Sequence, residues 1–221
     1  MGSLSPEKEV ILFSRENILR PLVIPLLASL LVDNGRAGQA PYNTQRYSAT
    51  VGQSSWFTCG PAAVSTLFTH YYRWPVSERQ VLDLSLRAMG SAGRNARQRG
   101  ITALALKQAM ARFGVKSEGY QLTLNELRDY FREGGLPVIL HVTKPEAHYV
   151  VGVGMVGDQI VLADPSWGRR ILPLNTLKSE KGYSGITLVP LPDSKKADNA
   201  AKAQAENLAW ARQRLNRLGK S

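Results

Sequence analysis

The chain has 221 residues, of which 43% are hydrophobic and 20% charged, and its net charge at pH 7 is +11. This composition is typical of a globular protein and not of a disordered one, and the length suffices for one ordinary domain with appendages. The single cysteine excludes an intrachain disulfide and a multi-cysteine metal site, and the lack of a Gly-x-x-x-x-Gly-Lys-Ser/Thr loop excludes an ATPase.

Residues 1–40 contain an apolar run over 21–32, with Arg15 and Arg20 before it and the step Gly38-Gln39-Ala40 after it. Twelve residues do not comfortably span a bilayer, which requires about twenty. The run fits the apolar centre of an export signal that is cleaved near Ala40, and we therefore predict a periplasmic protein. An uncleaved N-terminal membrane anchor and a buried or surface helix are the alternatives.

Residues 41–192 are predicted to form the folded domain, whose first half is helical. After a polar linker, "APYNTQRYSATVG", an apolar pattern at helical spacing runs over 59–73. Three more helices are predicted from capping residues and glycine end signals: "SERQVLDLSLRAM" from Ser77, "ALALKQAMARFG" from Thr102 and "LNELRDYFREGG" from Thr123. The stretch "GSAGRNARQRG" between the second and third helices is predicted to be a mobile surface loop.

The second half of the domain changes character to short segments rich in Val and Ile, which are typical of strands. The segments are "LPVILHV" (136–142), "HYVVGVGM" (148–155), "QIVLAD" (159–164), "GITLVPL" (185–191) and, as a further candidate, "RRILPL" (169–174). Because helices come first and strands second, the sequence predicts an α+β fold and not a doubly wound parallel sheet.

Residues 193–221 are predicted to form a basic amphipathic C-terminal helix. Leu208, Ala211, Leu215 and Leu218 fall at helical spacing and make one narrow apolar stripe. We favour the interpretation that this helix packs back on the domain or on a second copy of the chain. The alternatives are a tail that frays into solvent and a helix that binds a membrane surface or a partner.

Cys59 lies at the start of a predicted helix, followed by Gly60 and Pro61. A thiol attacks only as its thiolate, and an unperturbed cysteine is mostly protonated at neutral pH. The unpaired amides and the dipole of a helix N-terminus favour a negative charge, and Pro61 suits the first helical turn because no amide hydrogen is missed there. An imidazole that takes the proton would complete the activation.

His148 is the candidate imidazole because it opens a strand, and Asp164, which closes the next strand, is the candidate carboxylate that orients it. The two side chains share a face of the sheet only if the register has matching parity. A three-residue loop, 156–158, pairs Val150 with Asp164 and leaves His148 on the same face. A two-residue loop would put His148 on the other face, so the triad requires an odd-length loop or a β-bulge.

Gln53 lies six residues before Cys59. Its side-chain amide, beside the backbone N–H of Cys59, is a candidate donor to the oxyanion that forms during acyl transfer. Taken singly, a lone cysteine is usually an inert buried residue and a strand-ending Asp-Pro is common turn chemistry. The ordered conjunction of Gln53, Cys59, His148 and Asp164 favours a catalytic site.

This ordered set resembles the bacteriocin-processing, or double-glycine leader, peptidases, which are papain-like cysteine peptidases. The resemblance covers 53–190: "Q-x5-CGPAA" is similar to the family's glutamine and nucleophile motif, "HYVVGVG" to its histidine strand and "ADPSWG" to its Asp-Pro-x-x-Gly motif. It implies a helical half packed on a C-terminal antiparallel sheet. It also implies Cys59 as nucleophile, His148 as base and acid, Asp164 as orienting carboxylate and Gln53 as oxyanion donor.

The chain differs from the transporter-fused members of that family, because it has no ATPase and because Thr58 stands where an aspartate is frequent. It is more similar to the stand-alone, exported branch that accompanies functional-amyloid export across the outer membrane. We therefore predict a cysteine endopeptidase of the bacterial cell envelope. The alternatives are a non-cutting peptide-binding or chaperone module on the same fold, and papain-fold amide chemistry such as transglutamination or peptidoglycan amidase activity.

The predicted partner is a peptide or protein substrate, with amyloid subunits and other export-system components as candidates. The positive charge also admits nucleic acid or anionic lipid, but no nucleic-acid-binding signature is present and the basic residues do not cluster beside aromatics. We predict no nucleic-acid partner, and membrane association through the N-terminus and homo-oligomer formation stay open. No cofactor is predicted, and the spacing of His70, His141 and His148 predicts no metal site.

Overall fold

The computed structural model describes residues 42–219, and in this part of the chain most helices precede most strands. The helices are α1 (Tyr42–Arg46), α2 (Cys59–Thr66), α3 (Glu78–Met89), α4 (Ala96–Arg99), α5 (Ala103–Arg112), α6 (Leu124–Arg132), α7 (Leu174–Ser179) and α8 (Ser194–Leu218). A π-helical turn, Leu67–Tyr71, extends α2, and a 3-10 turn, Gly90–Asn95, follows α3. The predicted signal or anchor, 1–40, lies outside the described residues.

The three predicted capping residues begin their helices. Ser77, Thr102 and Thr123 each accept a hydrogen bond from the backbone N–H three residues on. In α3 and α6 the side chains of Gln80 and Glu126 also bond back to the backbone of the capping residue, which completes a capping box. These helix starts are therefore set by local sequence.

The strands of the described residues form one antiparallel sheet of six, as an α+β fold predicts. They are β1 (Lys116–Gln121), β2 (Val138–Val142), β3 (His148–Val156), β4 (Gln159–Asp164), β5 (Gly168–Pro173) and β6 (Tyr183–Leu191), in the order β1-β6-β2-β3-β4-β5. Each neighbouring pair is antiparallel.

Two local predictions were incomplete or wrong. Strand β1 was missed because its sequence, "KSEGYQ", has no β-branched residue; it is held at the sheet edge by pairing with β6, in which Lys116 faces Leu191. The stretch predicted as a mobile loop, "GSAGRNARQRG", contains the 3-10 turn and α4, although it lies at the surface as predicted. Buried Ala96 anchors it to the core.

The two faces of the sheet pack on different helices. Val151, Val153, Val161 and Ala163 point to a core shared with α2, α5 and α8, and the alternate residues, among them Val150, Ile160 and Leu162, point to a second core covered by α6 and α7. Strands buried on both faces explain why "HYVVGVGM" and "QIVLAD" are nearly continuous apolar runs.

The β3–β4 hairpin puts His148 and Asp164 on the same face of the sheet, as the site requires. It does so through a β-bulge, which was the predicted alternative to an odd-length loop. Its loop has two residues, 157–158, because Val156 pairs with Gln159; the predicted three-residue loop is wrong. A β-bulge at Val153 then shifts the register, so that Val151 pairs with Ala163. Continued by one residue, this register puts Val150 opposite Asp164, as predicted, and His148 shares their face.

Helix α8 packs back on the domain, against the π-helical turn, β3 and β4. It buries Ala200, Ala203, Asn207 and Ala211, and the side chain of Gln204 donates to Val153 O at 2.7 Å. Leu218, at the end of the predicted stripe, is 68% exposed. Within residues 42–219 no helix has the length and apolarity to cross a membrane.

Gly168, at the start of β5, has a left-handed φ of +73°, and a Cβ there would collide with the backbone carbonyl of Arg46. We predict that Gly168→Ala lowers the free energy of unfolding by about 3 kcal/mol, because backbone strain and a backbone clash add. Gly157→Ala is the matched control: φ is +58°, but no atom lies within 4 Å of the added Cβ, so only the strain of about 1–2 kcal/mol applies. Equal losses in urea denaturation would contradict the clash.

Candidate active site

Cys59 is the first residue of α2 and is 6% exposed. The N-cap residue, Thr58, makes no side-chain bond to the helix; its hydroxyl instead accepts from Ser55 N and donates to Ser55 O. The first amides of α2 therefore receive no hydrogen bond from the side chain of the capping residue. Gly60 allows the helix start to pack closely, because a Cβ there would lie 2.8 Å from Leu106 Cδ1.

His148 and Asp164 form a hydrogen-bonded pair at one end of the sheet. The distance from His148 Nε2 to Asp164 Oδ1 is 2.9 Å, and the side chains are 18% and 5% exposed. His148 is the first residue of β3, so its ring extends past the strand and lies close enough to Cys59 for the two side chains to interact electrostatically. Since Nε2 is taken by Asp164, Nδ1 is the ring nitrogen left for the thiol.

The carboxylate of Asp164 has two further partners. Its Oδ1 accepts from Ser166 N at 2.9 Å, and its Oδ2 lies 3.6 Å from Arg170 Nη1. A buried carboxylate is stable when its oxygens are bonded in this way, and it is then a rigid acceptor for the ring.

Gln53 is tied to the same turn by backbone and side chain. Its N–H donates to Pro165 O at 3.0 Å, and its Oε1 accepts from Ser166 Oγ at 2.9 Å. Its Nε2 donates one hydrogen to Ser55 O at 3.1 Å. Because an amide nitrogen carries two hydrogens, the second is left for another acceptor, such as a substrate oxygen.

The segment predicted as a polar linker also packs against this turn. Tyr47 Oη donates to Ser166 O at 2.8 Å, and Arg46 Nε donates to Trp167 O. The Arg46 guanidinium lies 5.2 Å from the centre of the Trp167 ring. Residues 46–53 thus clamp the turn that carries Asp164.

The charges of the pair reinforce each other. Burial lowers the pKa of His148, but hydrogen bonds to Asp164 and Cys59 and their negative charges outweigh burial and raise it to about 9. Burial raises the pKa of Asp164, but the hydrogen bonds from His148 and Ser166 N and the positive charges of His148 and Arg170 hold it below its ordinary value. At neutral pH the structure therefore favours an imidazolium next to a carboxylate.

The other two histidines have different surroundings. His141 Nδ1 lies 3.0 Å from Ser184 Oγ, and burial, then the charge of His148, lowers its pKa. Burial, then Arg73, lowers the pKa of His70, which lies in the π-helical turn. Of the three, His148 is the one that the fold brings to Cys59 and Asp164. Within the described residues no group of three or more His, Cys, Asp or Glu side chains is arranged to hold a metal ion.

Ser166 and Arg170 were missed from the sequence, although signals for both exist. Arg170 pairs with Leu162 in the β4–β5 ladder, and Leu162 is two residues from Asp164, so the register of the candidate strand 169–174 would have placed Arg170 on the same face. Ser166 follows Pro165 in the quoted "ADPSWG" motif. Its contact with Gln53 joins residues 113 positions apart in the chain, so it becomes apparent only in the folded structure.

A family model of the peptidase C39 family matches residues 48–195 of this chain. The chain belongs to the peptidase C39 family. It is therefore a cysteine peptidase, and the resemblance to the double-glycine leader peptidases is confirmed. The match includes all four candidate catalytic residues, Gln53, Cys59, His148 and Asp164.

Two curated relatives are named "Probable functional amyloid protease FapD". The one from Pseudomonas aeruginosa is 25% identical over 175 residues, which are 79% of this chain and 74% of the relative. The one from Pseudomonas fluorescens is 25% identical over 157 residues, 71% of this chain and 66% of the relative.

Solved structures of similar fold are peptidase domains. The peptidase domain of Streptococcus ComA, a bi-functional ABC transporter involved in quorum sensing, has a TM-score of 0.55 at 24% identity and covers 66% of this chain and 98% of that domain. A double-glycine-motif protease from an AMS/PCAT transporter, solved with its leader peptide, has a TM-score of 0.52 at 24% identity and covers 65% of this chain and 90% of its own. The papain-like α+β fold is thus confirmed.

We predict that a pH titration of the three histidine rings by NMR separates them. His148 should titrate near pH 9, and His70 and His141 below 6.5. Because the pKa of folded His148 lies above its ordinary 6.5, its interactions stabilise the fold fully below pH 6.5, and this stabilisation is lost as the pH rises through 9.

The variant Asp164→Asn is the companion measurement. Without the carboxylate charge, the His148 pKa should fall toward its ordinary value, while the pKa of His70 stays where it was. A His148 midpoint that Asp164→Asn does not move would contradict the coupling.

Proposed function

We propose that this cysteine peptidase is an endopeptidase that works through Cys59, His148 and Asp164, with Gln53 as oxyanion donor. The observation that carries the proposal is the position of His148, whose ring hydrogen-bonds to Asp164 at 2.9 Å and lies close enough to Cys59 for the two side chains to interact electrostatically. A thiol at a helix start, an imidazole near it and a buried carboxylate behind the ring are the parts that nucleophilic catalysis needs.

Acylation begins with the proton of the Cys59 thiol already on His148, as the imidazolium form requires, and the sulfur electron pair attacks the scissile carbonyl carbon. The carbonyl oxygen becomes an oxyanion, to which the second Nε2 hydrogen of Gln53 and the Cys59 backbone N–H donate. When the oxyanion collapses, the C–N bond breaks and His148 gives its proton to the leaving nitrogen. A thioester on Cys59 and a free amine remain.

Deacylation uses the same groups. Neutral His148 takes a proton from a water molecule as the water oxygen attacks the thioester carbonyl carbon. The C–S bond then breaks, its electron pair stays on the sulfur beside the protonated ring of His148, and the second product leaves as a carboxylic acid. Asp164 holds the ring orientation and supports its positive form in both stages.

We further propose that the peptidase acts in the cell envelope on an exported protein, with amyloid subunits as the candidate client. Two observations support this. The apolar run over 21–32, flanked by Arg15 and the Gly38-Gln39-Ala40 step, fits an export signal. The curated relatives are named as functional amyloid proteases.

We expect Cys59→Ala to lower the rate of client cleavage by about four orders of magnitude or more, because no other group supplies the nucleophile. In cells the uncut client should accumulate in the envelope fraction. The mature peptidase should be recovered from the same fraction, and sequencing its N-terminus shows whether an export signal has been removed. Circular dichroism of the variant serves as the folding control.

Three results would count against these proposals. Normal client processing by folded Cys59→Ala would exclude Cys59 as nucleophile. Peptide affinity without any wild-type cleavage would favour the non-cutting binding module. Recovery of the peptidase from the cytoplasm alone would exclude the envelope assignment.

Ser166 is expected to act by positioning Gln53. We predict that Gln53→Ala lowers kcat about a hundredfold or more and that Ser166→Ala lowers it about tenfold, because the amide loses the hydroxyl that holds it. The bond from Ser166 N to Asp164 remains in Ser166→Ala. The double variant should be no slower than Gln53→Ala alone, since both changes remove one function.

The control for this cycle is Ser48→Ala, which removes an exposed hydroxyl that donates to Gln45 O at 3.0 Å. Its kcat should equal that of the wild type. Additive losses in the double variant would show that Ser166 acts independently of Gln53.

A further inference from the structure

The cleft at the site has two arms, one lined by Cys59 and the other by His148. One, the acyl arm, is lined among others by Phe57, Cys59, Arg99, Ile101 and Tyr149. The other, the leaving-group arm, is lined among others by Gln53, Lys144, His148, Asp164 and Lys181. Both arms share Trp56, Pro145, Glu146 and Ala147, so one bound chain can run through both.

The proposed chemistry determines which half of a substrate each arm receives. The acyl half becomes bonded to Cys59 and stays in the acyl arm. The leaving nitrogen must be reached by the proton on His148, so the residues that follow the scissile bond lie on the His148 side. The leaving-group arm therefore contacts the first residues after the cut.

The leaving-group arm carries an excess of positive charge. Its cations are Lys144, Arg170, Lys181 and the imidazolium of His148, and its acids are Glu146 and Asp164. Asp164 is already paired with His148 at 2.9 Å and with Arg170 at 3.6 Å. Among the residues that line this arm, Glu146 is therefore the acid left to offset the positive charges of the two lysines.

The backbone holds these two lysines together. Thr143 N and Lys144 N both donate to Lys181 O, at 3.1 and 3.0 Å. Gly182, with φ of +65°, permits the close approach, since a Cβ there would collide with the Thr143 side chain. Lys144 Nζ donates to Ser179 O at 3.4 Å, which leaves two of its three hydrogens for another acceptor.

The rest of this arm suits the stem of a side chain. Buried Val142, Val150 and Leu177 contribute to its lining, and its cavity volume is about 150 Å³. A cavity of that size holds a group as large as a benzene ring. Apolar walls also strengthen an attraction between charges, because the local dielectric is lower than that of water.

We propose that Lys144 and Lys181 select a substrate whose leaving half presents a carboxylate in this arm. The inference rests on the proposed function and adds the substrate class to it. The carboxylate has two sources: an Asp or Glu side chain at the first positions after the cut, or the C-terminus of a short leaving peptide.

The test uses the full chain and a proteome-derived peptide library, prepared once with free and once with amidated C-termini. New N-termini that appear with wild type and not with Cys59→Ala are identified by mass spectrometry. We expect Asp and Glu to be enriched about two- to fivefold at the first or second position after the cut, the range of a partly solvated ion pair. If the C-terminus is the ligand, cuts instead cluster near free C-termini and disappear in the amidated library.

Charge variants assign the preference to the two lysines. Lys144→Gln/Lys181→Gln should abolish the enrichment, and Lys144→Glu/Lys181→Glu should shift it to Lys and Arg. The single variant Lys144→Glu should weaken the enrichment. It replaces the double variants in this test if they do not fold. The matched control is Lys202→Glu, an exposed position on α8 outside the cleft, which should keep the wild-type preference.

The outcomes separate this inference from the proposed function. Cys59-dependent cleavage without a carboxylate preference, or with a preference that a folded Lys144→Glu/Lys181→Glu variant retains unchanged, overturns the inference and leaves the proposed function intact. The absence of any Cys59-dependent cut in either library overturns both.

Discussion

The register of the β3–β4 hairpin is the constraint on which the site depends. A two-residue turn alone would leave His148 and Asp164 on opposite faces of the sheet, and the bulge at Val153 restores their common face. Because His148 opens β3 and Asp164 closes β4, the same register also brings them to one end of the sheet. The ring can then reach past the sheet to the thiol at the start of α2.

The buried carboxylate connects the proposed base with the proposed oxyanion donor. Asp164 bonds to the ring of His148 and to Ser166 N, while the hydroxyl of Ser166 bonds to Gln53. A shift of this short turn would therefore move the imidazole and the amide together. The charge of Arg170, near the second carboxylate oxygen, helps keep Asp164 ionised despite its burial.

Chain segments on both sides of the site hold its residues in place. Residues 46–53, which composition alone suggests are a linker, hold the 165–167 turn through Arg46, Tyr47 and the backbone of Gln53. On the other side, Lys181 O receives two amides from the end of β2 and places two lysines beside the cleft. Segments distant in sequence thus determine both the geometry of the proposed chemistry and the charge that a substrate meets.

The sequence by itself determined the helix starts at Ser77, Thr102 and Thr123, the helices-then-strands order and the four candidate residues, because caps, periodicity and motifs are local signals. Only the tertiary structure decided the rest. Strand β1 exists because β6 pairs with it, and the bulge, rather than the loop length, sets the hairpin parity. The contacts of Ser166 with Gln53 and of Lys181 with the end of β2 join residues far apart in the chain, and no local pattern records which distant partner a hydrogen-bonding group will meet.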